Sequence, residues 1–153
     1  MSKKNSFRLQ SVLNYKTGLV DNLETEFARL RALQKNEEEA LAHLEEMVQT
    51  QTASLKHQQE TGVLNCNTIE LHQKYLHFLR NHVERQKVRV AEAKMQAEAK
   101  REELVKTMQD QKTLEKLKDR HLARELVELN RREARTVDDL VITRYAREGY
   151  SHA

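Results

Sequence analysis

Residues 13–55 read LNYKTGLVDNLETEFARLRALQKNEEEALAHLEEMVQTQTASL. Stepping through them alternately by three and four meets Leu13, Lys16, Val20, Leu23, Phe27, Leu30, Gln34, Glu37, Leu41, Leu44, Val48, Gln51 and Leu55; nine of these thirteen positions are apolar. A 3,4 repeat sustained over six heptads is the seam of a coiled coil, because it holds one narrow stripe toward a partner helix. The polar residues Gln34 and Glu37 interrupt it, and are expected to weaken the seam locally or to set its register.

Reading outward, the repeat fails between Thr61 and Thr68, where Gly62, Asn65 and Asn67 gather turn-prone residues. Asn67 followed by Glu70 has the spacing of a capping box at a helix start. A chain reversal is expected here; a kink in one continuous helix is the competing reading. A second seam follows through Ile69, His72, Leu76, Leu79, Val83, Gln86, Val90, Ala93, Ala97, Lys100 and Leu104. Past Leu104 the apolar set shifts by four, to Met108, Leu122, Leu126, Leu129 and Leu140, which predicts a stutter that unwinds the supercoil locally.

The expected fold is all-α, a long antiparallel two-helix coiled-coil hairpin forming a single domain over 1–153. Helix 1 is expected at about 7–59, the bend at about 60–68, helix 2 at about 69–146, with a short C-terminal tail. At 1.5 Å per residue the arms would be roughly 80 and 110 Å long, so part of helix 2 must extend past helix 1.

Composition agrees. Charged residues make up 33% of the 153 residues, there is no proline or tryptophan, and glycine occurs three times, which suits a narrow core better than a globular one. Disorder is the rival for so polar a chain, and the strict apolar period argues against it. The net charge of +3 is unevenly spread: residues 21–60 hold four basic and nine acidic groups, and residues 61–110 nine basic and seven acidic. An acidic first arm and a mildly basic second arm attract when the chain folds back on itself.

Several function classes are disfavoured. Acids interleave the bases throughout, as in Lys100, Arg101, Glu102, Glu103, unlike the basic face that nucleic acid requires. No apolar run approaches the roughly 20 residues of a membrane span, and no signal-peptide core follows Met1 to Asn5. The lone Cys66 cannot form an internal disulfide and fits a reducing compartment. His72, His77 and His82 are five residues apart; on a helix that spacing turns each ligand away from the last, so no metal site is expected. With no phosphate-cradling glycine loop and no desolvated pocket for the carboxylates, neither a cofactor nor catalysis is expected.

Tyr75, Leu76, Phe78 and Leu79 form the densest aromatic and aliphatic cluster. Tyr75, Leu79, His82 and Gln86, at steps of four, three and four, are expected to line a face of their own, available to another protein. The bland alternative is that the aromatics wrap the edge of the seam. On the docking reading, Leu79→Asp should weaken binding and leave the hairpin folded.

In order and spacing these segments resemble the flagellar FliJ protein family. Phe7 to Lys16 is similar to its N-terminal start, His72 to Leu79 to the tyrosine-rich start of its second helix, Thr113 to Arg120 to its Leu-Glu-Lys-Leu-Lys segment, and Asp138 to Tyr145 to its C-terminal end. The resemblance implies a non-enzymatic component of the bacterial flagellar type III export apparatus, serving flagellum biogenesis and with it motility and chemotaxis. It implies a coiled coil similar to the central stalk of rotary ATPases, whose paired ends enter the hexameric export ATPase FliI and promote its assembly and activity. Contacts with the export gate protein FlhA and with export chaperones are implied as well, in the cytoplasm at the membrane face of the flagellar base.

Carried onto this chain, the gate-binding positions are Tyr75, Leu79, His82 and Gln86. His82 stands where the family has a small residue, and Gln86 where it has histidine. Phe7, Leu13, Lys118, Arg120, Arg124 and Arg131 are nominated for the ATPase ring from their place near the paired ends. The nearest rival is the corresponding stalk of a virulence-type injectisome. A self-associating structural coiled coil is the reading from another class; the opposite charges of the arms argue against a parallel in-register dimer, and the free chain is expected to be monomeric.

Overall fold

The computed structural model describes residues 6–62 and 65–150. Two helices, α1 (Gln10–Thr61) and α2 (Cys66–Tyr150), pack as an antiparallel hairpin. The helices contribute to two compact units: Leu19–Lys106, and Met1–Gly18 with Thr107–Ala153.

The helix ends have local causes. The Phe7 carbonyl accepts the Gln10 N–H at 3.0 Å, opening α1. At its other end Gly62 has φ +69°, a left-handed conformation that glycine adopts without a Cβ penalty and that commonly stops a helix. The cap of α2 is Asn65, not Asn67. The Asn65 carbonyl accepts the N–H groups of Thr68 and Ile69 at 3.0 and 3.2 Å, and its side-chain oxygen faces the Asn67 N–H at 3.4 Å. Glu70, the other half of the expected box, instead pairs with Lys74 at 2.7 Å. Val63 and Leu64 of the expected bend, and residues 151–153 of the expected tail, lie outside the described residues.

In the Leu19–Lys106 unit every seam position read from the sequence is shielded. Val20, Leu23 and Gln34 from α1 and Leu76, Leu79, Val83, Gln86, Ala93, Ala97 and Leu104 from α2 are buried, and the intervening 3,4 positions are half-buried. Each well-buried Leu or Val removes apolar area worth about 1.5–3 kcal/mol from water. Antiparallel order is visible in the cross-helix bonds, Glu26 to Lys100 at 3.0 Å and Glu37 to Gln86. Gln86 Nε2 donates to the Glu37 carbonyl at 3.1 Å and also to its carboxylate, while Gln34 Nε2 donates to Glu38 at 2.8 Å. The polar interruption is thus a hydrogen-bonded layer. Hydrogen bonds from Lys100 to Glu26 and Glu103 hold its ammonium above the usual lysine range.

In the second unit Leu13 and Thr107 are buried, Lys16 pairs with Asp110 at 2.9 Å, and Gln111 Nε2 donates to the Thr17 hydroxyl at 3.2 Å. The Phe7 ring lies 5.8 Å from that of His121. The expected stutter is absent. The shielded α2 positions continue in the old phase through Thr107, Gln111, Leu114, Lys118, His121 and Glu125, while Leu122, Leu126, Leu129 and Leu140 are exposed. The seam follows what α1 offers opposite it, and the shifted apolar set reports a second face of α2 that α1 does not cover. From Leu126 to Gly149 every residue is exposed.

The polar layer yields a prediction. Gln86→Leu alone should lower the thermal midpoint by leaving Glu37 without its donor, whereas Glu37→Leu with Gln86→Leu should raise it by about 2–4 °C. A lower midpoint in the double variant, measured by circular dichroism, would show the layer to be net stabilising.

Candidate functional site: two exposed faces of α2

The first face lies in the Leu19–Lys106 unit, and the structure corrects its membership. Leu79 is 2% exposed and Gln86 7%; both belong to the seam with Leu76 and Val83. They cannot share an outward stripe with Tyr75. The exposed line is Leu71, Tyr75, Phe78 and the half-buried His82, again at steps of four, three and four. Each stands one residue before a seam position, so the line runs along the flank of the seam. Phe78 is 54% exposed, stacks on Tyr75 with centroids 6.4 Å apart, and meets the His82 ring edge-on at 4.5 Å. The rings form a preassembled apolar ladder.

Leu71 and Phe78 were missed because 71/75/78/82 and 75/79/82/86 obey the same spacing. What separates them is the seam phase through Leu76 and Val83, which already claims Leu79 and Gln86. His72 is half-buried in that seam, and His77 bonds Asn81 at 3.3 Å. Among the described residues no group of three or more His, Cys, Asp or Glu side chains is placed to hold a metal, and Cys66 is a free, exposed thiol.

The second face belongs to the other unit. Of the residues nominated near the paired ends, Leu13 is buried, and Phe7 and Lys118 are half-buried where the seam ends. Arg120, Arg124 and Arg131 are exposed and, at steps of four and seven, share one side of α2. Roughly 150° around from them lies an apolar line of Leu122, Leu126, Leu129, Val137 and Leu140, all at least half exposed. This line is the larger feature, and nothing in α1 stands opposite it after Glu125. No described helix is long and apolar enough to cross a membrane, so neither face is a spanning segment.

Neighbouring residues of the seam and of its exposed flank differ sharply in what they contribute to stability. Leu79→Asp places a carboxylate in the seam and should cost about 3 kcal/mol or more, with visible loss of helical signal. Phe78→Asp, one residue away on the exposed flank, should change stability by no more than about 0.5 kcal/mol. Equal effects of the two substitutions on the thermal midpoint would contradict this division.

The family model described as flagellar FliJ protein matches residues 5–150. No curated protein and no solved structure matches the chain. With residues 5–150 of its 153 accounted for by that model, the chain belongs to the flagellar FliJ protein family, a component of flagellar type III export.

Proposed function

We propose that this chain is a non-catalytic stalk and escort of the flagellar export apparatus, which inserts into the hexameric ATPase FliI, promotes its assembly and activity, and links it to the gate protein FlhA and to export chaperones. The observation that carries the reading is the stretch of α2 beyond Glu125: a continuous helix with Leu126, Leu129, Val137 and Leu140 uncovered. An uncovered apolar line on a stable helix is a ready surface for a protein socket.

In this reading the Leu122–Leu140 line and the arginines Arg120, Arg124 and Arg131 meet the ATPase ring, apolar groups on one side and cations toward acidic pore residues on the other. Phe7, Leu13 and Lys118 act indirectly, by closing the seam at the base of that segment. The gate contact is the ladder of Leu71, Tyr75, Phe78 and His82, with Leu79 and Gln86 supporting it from the seam. The protein works in the cytoplasm, held peripherally at the flagellar base through these partners, and any nucleotide turnover belongs to the ATPase.

The test is the ATPase rate of FliI titrated with this protein, with ring assembly followed by light scattering. Stimulation should saturate near one chain per hexamer. Leu126→Asp with Leu140→Asp should abolish it at unchanged helicity, and Phe78→Asp should weaken FlhA capture while leaving stimulation intact. No change in rate or assembly with wild-type protein would overturn the stalk reading.

A further inference from the structure

The exposed part of α2 carries a pattern that a general apolar socket does not require. Leu126, Asn130, Glu133, Val137, Leu140 and Arg144 follow steps of four, three, four, three and four, a heptad line of their own. All are exposed. The positions flanking this line between Glu133 and Arg144 are Ala134, Thr136, Val141 and Thr143, without a charge. Arg131, Arg132, Arg135, Asp138 and Asp139 fall on the outer positions. A face with charge removed from its flanks and kept on its back is built to meet another helix.

Two charges remain in the line itself, and they are opposite in sign. Glu133 and Arg144 stand eleven residues apart, three helical turns, on either side of Val137 and Leu140. In an antiparallel helix pair each layer joins a position of one heptad type to the other type on the facing helix. Centred between Val137 and Leu140, such a pair sets Val137 against the facing Leu140 and Glu133 against the facing Arg144, twice by symmetry. A parallel pair would set Glu133 against Glu133 and Arg144 against Arg144, and like charges in a seam repel. Glu133 has no ion-pair partner among the described residues. Arg144 bonds Glu148 at 3.2 Å across an exposed surface, where both side chains are largely in water, so that pair is exchanged at little cost.

We propose that α2 beyond Glu125 pairs with the same segment of a second copy of this chain in antiparallel register, Glu133 of each copy meeting Arg144 of the other. The free protein is then a reversible dimer rather than the monomer expected from the opposite charges of its two arms. The pairing covers Val137 and Leu140, the far part of the apolar line that the proposed function assigns to the ATPase ring. Self-association and ring entry therefore compete, and the dimer is a form in which Val137 and Leu140 are kept from water until the ATPase displaces it.

The experiment needs the purified full chain alone, which separates it from the ATPase assay. Sedimentation equilibrium across roughly 1–200 µM, a range in which a short helix pair dissociates, should show monomer passing to dimer. Glu133→Arg and Arg144→Glu, each alone, should weaken the dimer at least about tenfold by placing like charges in the seam. Combining the two should restore it, because the pair is reversed on both chains. Since both residues are exposed, circular dichroism should show all variants equally helical. A wild-type chain that stays monomeric over the range, single swaps that dimerise as wild type, or a double swap that fails to recover would each overturn the proposal.

Discussion

The structure depends on one narrow contact, the 3,4 ladder of side chains between two antiparallel helices. Two helices bury only the stripe each turns toward the other, so among the described residues no large side chain is fully enclosed. Val20, Leu23, Leu79, Ala93 and Ala97 are the best-shielded of its apolar side chains. The remaining surface is solvated and free to act, or is apolar and left open. That division explains why a chain with so little core still presents two apolar faces. A helix stabilised along one stripe can carry hydrophobic residues on another, as α2 does with Tyr75 and Phe78 beside the buried Leu76 and Leu79.

Along the seam, variation in residue type does different physical work. The layer of Gln86 and Glu37 trades apolar burial for directed hydrogen bonds, and such layers favour one alignment of two helices over its neighbours. Ala97 leaves space beside Phe27, where the interhelical groove is rimmed by Arg31, Lys94 and Arg101. Ion pairs such as Lys16–Asp110 and Glu26–Lys100 cross between helices at the edges; at such exposure they contribute more to alignment than to stability.

The two exposed faces differ in character. The ladder of Tyr75, Phe78 and His82 is short, aromatic and anchored beside a well-packed part of the seam, a rigid contact that costs little entropy to use. The line from Leu122 to Leu140 is aliphatic, lies on unsupported helix, and has arginines around its other side. A partner gripping it would find apolar contact and positive charge on one element.

Most of the fold was legible in the residues themselves. Every α1 seam position from Leu13 to Leu55, and every α2 position from Ile69 to Leu104, is shielded as its spacing requires, because helical periodicity and apolar character are local properties. What periodicity cannot tell is which of two equally spaced lines is covered. Leu79 and Gln86 fall both on the seam through Leu76 and Val83 and on a line with Tyr75, and α1 lying against them settles them as seam; Leu122, Leu126 and Leu129 read as a shifted seam until α1 is seen to end before reaching them. Likewise Asn65 and Asn67 are both competent caps, and the backbone of the reversal chooses the first. Sequence determined the helices, their repeat and their pairing. Tertiary structure decided which apolar residues have a partner, because burial depends on where the other helix begins and ends, and no single helix carries that information.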